Sequence, residues 1–155
     1  MNTLHYLLLL SALLLPLPGA AQDDSSVVVL PAQGDYEFVV DSVKEAIINR
    51  GMTVSGTLHV SEMLARTAPD LGYDGTPYAR AESIEFCSAV LSQRMVRADI
   101  RNLVICPFTV AVYTPREAPQ QVYVAFRRHR LAGNDPALEQ AVFDLLYAVA
   151  GEAAQ

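Results

Sequence analysis

In 155 residues there are two cysteines and three histidines, and nowhere are two cysteines spaced Cys-x-x-Cys. That scarcity removes covalent c-type haem attachment, which needs Cys-x-x-Cys-His, and the dithiol signature of an oxidoreductase. A basic face is lacking as well: the formal net charge is −6, so a nucleic-acid partner, which demands neutralised phosphates, is not expected. Internal repeats are absent, and no low-complexity segment follows the N-terminal region. Long hydrophobic runs are missing too, apart from one at the start of the chain.

That run spans residues 6–15 and is interrupted only by Ser11. It is about half the roughly 20 residues a helix needs to cross a bilayer. Pro16, Pro18 and the small residues Gly19, Ala20 and Ala21 follow it, so residues 1–21 resemble a secretory signal peptide cut after Ala21. No Lys or Arg precedes the run, and an uncleaved anchor is the alternative. No cysteine lies near the cut, which argues against a lipoprotein. The expected location is therefore outside the cytosol, periplasmic in a bacterium or secreted. Membrane association is expected only if the segment stays attached.

Residues 22–155 have the length of one ordinary domain, enough to bury a core without help from disulfides. Charge is uneven along them. Residues 22–85 carry 11 acids against 4 bases, whereas residues 86–155 carry 6 acids against 7 arginines.

Periodicity divides this part of the chain. The β-branched run at residues 27–30, closed by Pro31, reads as a strand. Tyr36, Val39, Val43 and Ile47 recur at helical spacing after the capping residue Asp35, and Arg50-Gly51 closes that helix. Alternation over residues 52–60 predicts a half-buried strand, and Ser61 opens a short helix. "TAPDLGYDGTP" then breaks all periodicity and reads as a long surface loop, a common place to meet a ligand. A strand at residues 83–86 leads into a helix over 88–98, with Val90, Leu91 and Met95 as its apolar stripe. Residues 103–113 are apolar on both faces and read as a central strand. A turn over 114–121 joins it to a last strand at 122–126, and a helix capped by Asp135, with Pro136 at its first position, ends the chain. The order fits an α+β domain with helices on one face of a largely antiparallel sheet.

Four uses of the cysteines remain open. In an oxidising compartment Cys87 and Cys106 are a candidate disulfide, provided their Cα atoms come within about 7 Å. Both also suit plain burial, Cys106 sharing a strand face with Val104, Phe108, Val110 and Val112. Cys87 before a helix start has the setting of an activated thiol, although only His59 and His129 remain as partners after residue 21. As metal or haem ligands, Cys87 and Cys106 would draw on His59, Glu62 and Met63, with Met52 or Met95. Two further clusters stand out. Arg127-Arg128-His129-Arg130 is a short basic run for an anionic ligand, the acidic half of another subunit or a lipid headgroup, and Tyr73, Tyr78, Tyr113 and Tyr123 are candidates for a pocket lining.

"FCSAVLSQRMVRAD" followed by "NLVICPFTVAVY", preceded by an amphipathic helix ending in "INRG", resembles the domain of unknown function family 302. The resemblance spans residues 27–150, and its most specific matches are Cys87, Cys106 and Pro107. It implies a compact α+β fold of the TATA-binding-protein-like class and no assigned activity. With no acid/base or nucleophile constellation in view, the reading is a non-catalytic binding or accessory protein without a cofactor. It would work as a homodimer or with a periplasmic partner, and Cys87 and Cys106 would hold a helix start to the sheet. The alternative is a periplasmic redox or metal/haem-handling protein that uses the same sulfurs.

Overall fold

Asp35 sets the register of the first helix: its carboxylate accepts from Phe38 N at 2.9 Å, and the chain coils from Tyr36 with Val39, Val43, Ala46 and Ile47 turned inward. The computed structural model describes residues 26–155, so the signal-peptide reading of residues 1–21 lies outside it. Strands are β1 (Val27–Ala32), β2 (Thr53–Leu58), β3 (Tyr78–Cys87), β4 (Phe108–Pro115) and β5 (Val122–Arg127). Helices are α1 (Tyr36–Ile48), α2 (Val60–Thr67), α3 (Ala89–Ala98) and α4 (Pro136–Ala153), with 3-10 segments at Pro69–Leu71 and Ile100–Ile105.

All five strands form one open sheet in the order β1-β5-β4-β3-β2, and every pairing is antiparallel. Alternation gives the sheet two unlike faces. Ile84, Phe86, Phe108, Val110, Val112, Val122, Val124 and Phe126 point to one side. There they join α1, α4 and the Leu91 and Met95 side chains of α3 in a single core. Helices on one face of an antiparallel sheet are therefore what the chain adopts. The α2 helix is different, because it stands at the sheet edge. Beyond the end of β2, Ser61 Oγ accepts from Ala81 N at 3.0 Å and so covers the β3 backbone where a strand partner is missing.

Three sequence expectations need correction. The strand at residues 27–30 runs through Pro31 to Ala32, which an edge strand tolerates because a proline can face outward without a donor. The strand at residues 83–86 is ten residues long; its first half, "YARAE", is masked by polar side chains and a register shift between Tyr78 and Arg80. Most consequential is the apolar segment 103–113. Residues 103–105 belong to the 3-10 helix Ile100–Ile105, and β4 begins only at Phe108, after a cis Cys106–Pro107 peptide. Cys106 is therefore not on a strand face with Val104, and Val104 is 86% exposed. Asp99 causes the change by accepting from Arg101 N at 2.9 Å, which caps a turn where a strand would have to start.

Candidate functional site

The breaker-rich loop folds back on α2, and the two line an open hollow of about 590 Å³. Thr67 Oγ lies 3.0 Å from Met63 O and 3.2 Å from Leu64 O, so its hydroxyl is spent on the helix backbone. The loop then turns at Gly72 and Gly75, both at positive φ near 75°, a conformation in which a Cβ is strained. Arg116, just past β4, ties the loop down: its N donates to Pro77 O and its Nη1 to Asp74 O, both at 2.8 Å. The walls are mostly apolar, with Leu64, Ala68, Leu71 and Tyr73 prominent, and Arg116, Asp74 and Glu117 bring polar groups to the cavity. Such a volume and mixture match sites for drug-sized molecules, in which apolar walls hold the body and a few polar groups orient it. Of the four tyrosines only Tyr73 lines this cavity. Tyr78, Tyr113 and Tyr123 instead form a ladder across β3, β4 and β5, with ring centroids 5.7 Å and 5.3 Å apart.

The two sulfurs meet at the opposite end of β3. Cys87 is its last residue, Ser88 caps α3 by accepting from Leu91 N at 3.4 Å, and Cys106 closes the 3-10 helix. Their Cα atoms are 6.3 Å apart and the sulfurs lie at disulfide distance. Ser92 Oγ donates to Cys106 Sγ at 3.6 Å. The pair stands at the base of a loop made of α3 and the 3-10 helix. His59, Glu62 and Met63 are not brought to it. They sit where β2 passes into α2, and β2 pairs its far end, Thr53, with Cys87, so the six steps from Thr53 to His59 put them about 20 Å away. His59 Nδ1 is 3.5 Å from Glu82 Oε1, Met95 is fully buried, and Met52 packs against the core. Among the described residues no group of three or more His, Cys, Asp or Glu is close enough to hold a metal ion.

Nor does the basic run act as one patch. The Arg128 guanidinium lies 3.9 Å over the Phe143 ring, Arg130 pairs with Glu139 at 3.3 Å, and His129 packs 6.1 Å from Phe108. Burial, reinforced by Arg127, lowers the His129 pKa below its ordinary 6.5, which keeps the imidazole neutral. Sequence reasoning missed two residues that matter here. Arg116 carries no pattern, since its partner Asp74 lies 42 positions away. Asn102 is 2% exposed: its amide donates to Met95 O at 3.0 Å and Ala132 O at 3.1 Å, and its carbonyl accepts from Ala132 N at 2.8 Å. An aspartate three residues before an asparagine was the only hint of that peg.

Comparison with known proteins adds fold and lineage. The family model described as "Domain of unknown function DUF302" matches residues 28–151. A crystal structure of an uncharacterized conserved protein DUF302 from Bacillus stearothermophilus superposes with a TM-score of 0.65 at 17% identity, covering 84% of this chain and 99% of that one. At that identity the likeness speaks for the fold alone. None of the curated proteins matches the chain.

Proposed function

Because this chain belongs to the DUF302 family, whose name assigns no chemistry, we propose from its geometry that it is an exported, non-catalytic binding protein whose loop cavity takes a small amphipathic molecule. The supporting observation is the 590 Å³ apolar cavity with Arg116 among its lining residues. A ligand with an apolar body and an anionic or acceptor end satisfies both features. Export accords with the apolar N-terminal run and with sulfurs at disulfide distance, which persist as a bond in oxidising compartments. In the bacterial periplasm the protein would act as a homodimer or on a partner; light scattering of the purified protein reads the first directly.

The test uses anilinonaphthalene sulfonate, an apolar ring system with one sulfonate, titrated by fluorescence. Saturable one-to-one binding is expected. It should weaken at least tenfold in Leu71→Arg, which puts charge at an exposed wall position and should leave the melting temperature unchanged, and several-fold in Arg116→Gln, which also releases the loop from its tie at Asp74. Equal binding by both variants refutes the cavity as the site. A turnover that disappears in a folded Cys87→Ser protein refutes the non-catalytic reading. Stoichiometric metal or visible absorbance in the purified protein moves the assignment to the sulfurs.

A further inference from the structure

Between Cys87 and Cys106 the chain does the reverse of what an apolar sequence ordinarily does. Val90 is 71% exposed, Ile100 83%, Leu103 67% and Val104 86%. Four large aliphatic side chains in one closed loop stand mostly in solvent, and the arrangement is held firmly. Asn102 is pegged inward by three hydrogen bonds, so Ile100, Arg101, Leu103 and Val104 on either side of it are turned out. Asp99 caps the turn, and the Cys87–Cys106 pair closes the loop at its base. Isolated exposed aliphatics need no explanation, but Ile100, Leu103 and Val104 within one braced turn mark an interaction surface.

Charge identifies the partner. The loop contains Arg94, Arg97 and Arg101 and a single acid, Asp99, which Arg101 engages at 2.9 and 2.7 Å. Arg94 and Arg97 are exposed and follow Val90 at helical spacing, so they share the outer face of α3. Arg127 joins Val104 in lining one shallow cavity beside the turn. Arg94, Arg97 and Arg127 take part in none of the ion pairs among the described residues. An anionic partner complements these unpaired arginines. Protein hot spots draw on Trp, Tyr and Arg seated in pockets and are poor in Leu and Val. Here the apolar groups are aliphatic, stand clear of the surface and are flanked by arginines, which is the composition of a segment lying at a lipid interface.

We propose that this disulfide-closed loop docks the protein on an anionic lipid bilayer, with Ile100, Leu103 and Val104 entering the acyl boundary and Arg94, Arg97 and Arg127 meeting headgroup phosphates. Salt weakens the arginine contribution and leaves the aliphatic one.

The chain has no tryptophan, so Val104→Trp introduces a single reporter at the tip. On phosphatidylglycerol vesicles its emission should shift to the blue and be quenched by brominated acyl chains, with little change on phosphatidylcholine. Because the reporter reads its own position, an N-terminal apolar segment in the preparation does not mimic the signal. Adding Leu103→Ser should weaken vesicle binding about tenfold, and Arg94→Gln or Arg97→Gln about fivefold each. Ile100→Trp serves as the reporter if Val104→Trp does not fold. Absence of a shift on anionic vesicles overturns the proposal, as does binding indifferent to Leu103 and the arginines. A blue shift that instead grows with protein concentration without lipid also overturns it, because the surface is then a protein interface.

Discussion

Removing the Cys87–Cys106 link in the double variant Cys87→Ala/Cys106→Ala tests whether the sulfurs are architectural. The two cysteines have a sequence separation of 19. In the chain-entropy view, cross-linking restricts the unfolded ensemble by an amount that grows with the logarithm of loop length, which for this loop is about 3 kcal/mol at 25 °C. A domain of this size has an unfolding entropy of about 0.27 kcal/mol/K near its midpoint, so the melting temperature should fall by about 11 °C. Because the effect lies largely in the unfolded state, the denaturant slope should rise as the freed chain exposes more surface. Scanning calorimetry and urea titration of the parent, the reduced parent and the double variant measure both quantities. Intact mass should rise by two hydrogens on reduction of the parent. A midpoint shift under about 4 °C in a parent shown to be bonded would refute the loop-closure reasoning. An unreduced parent carrying two free thiols would remove its premise.

Two further perturbations probe the same region. Asn102→Asp keeps one acceptor for Ala132 N and turns a carboxylate toward two carbonyl oxygens, so a loss of roughly 3 kcal/mol at neutral pH is expected. That penalty should shrink in acid as the buried carboxyl takes up a proton, and a pH-independent or negligible loss would mean that the peg is not what holds the turn. His129 is held neutral by burial, with its pKa below the ordinary 6.5. The unfolded chain then binds the extra proton between the lowered pKa and 6.5, and stability should be full above about pH 6.5 and fall as pH drops through that window. His129→Gln should flatten this part of the melting-temperature profile, and a parent profile no steeper than the variant's between pH 5 and 6.5 would count against it.

How much could be read beforehand depended on the range of the interactions. Helix α1 was legible because its cap, Asp35 to Phe38 N, is three residues long, and α4 likewise through Asp135, which accepts from Leu138 N at 2.9 Å behind Pro136. Strand β5 declared itself by alternating Val122, Val124 and Phe126. The turn at Ile100–Ile105 hid within an apolar run that reads equally well as a strand. Its decisive contact, Asn102 to Ala132, spans 30 residues. The candidate cavity was legible only as a loop. Arg116, which anchors it, finds the Asp74 carbonyl across 42 positions.

From sequence alone came the class of the fold, the bounds of its main helices and a resemblance to one family, because caps, turn formers and apolar periodicity act within a few residues of each other. Four uses of the two sulfurs stayed open at that level, with the disulfide preferred. Only the register of β3 against β2 and β4, and the inward peg at Asn102, decided that Cys87 meets Cys106 while His59 stays a strand's length away. The same packing turned Leu103 and Val104 out to solvent. Proximity across a sheet is a sum over many weak pairings, and no short stretch of chain encodes it by itself.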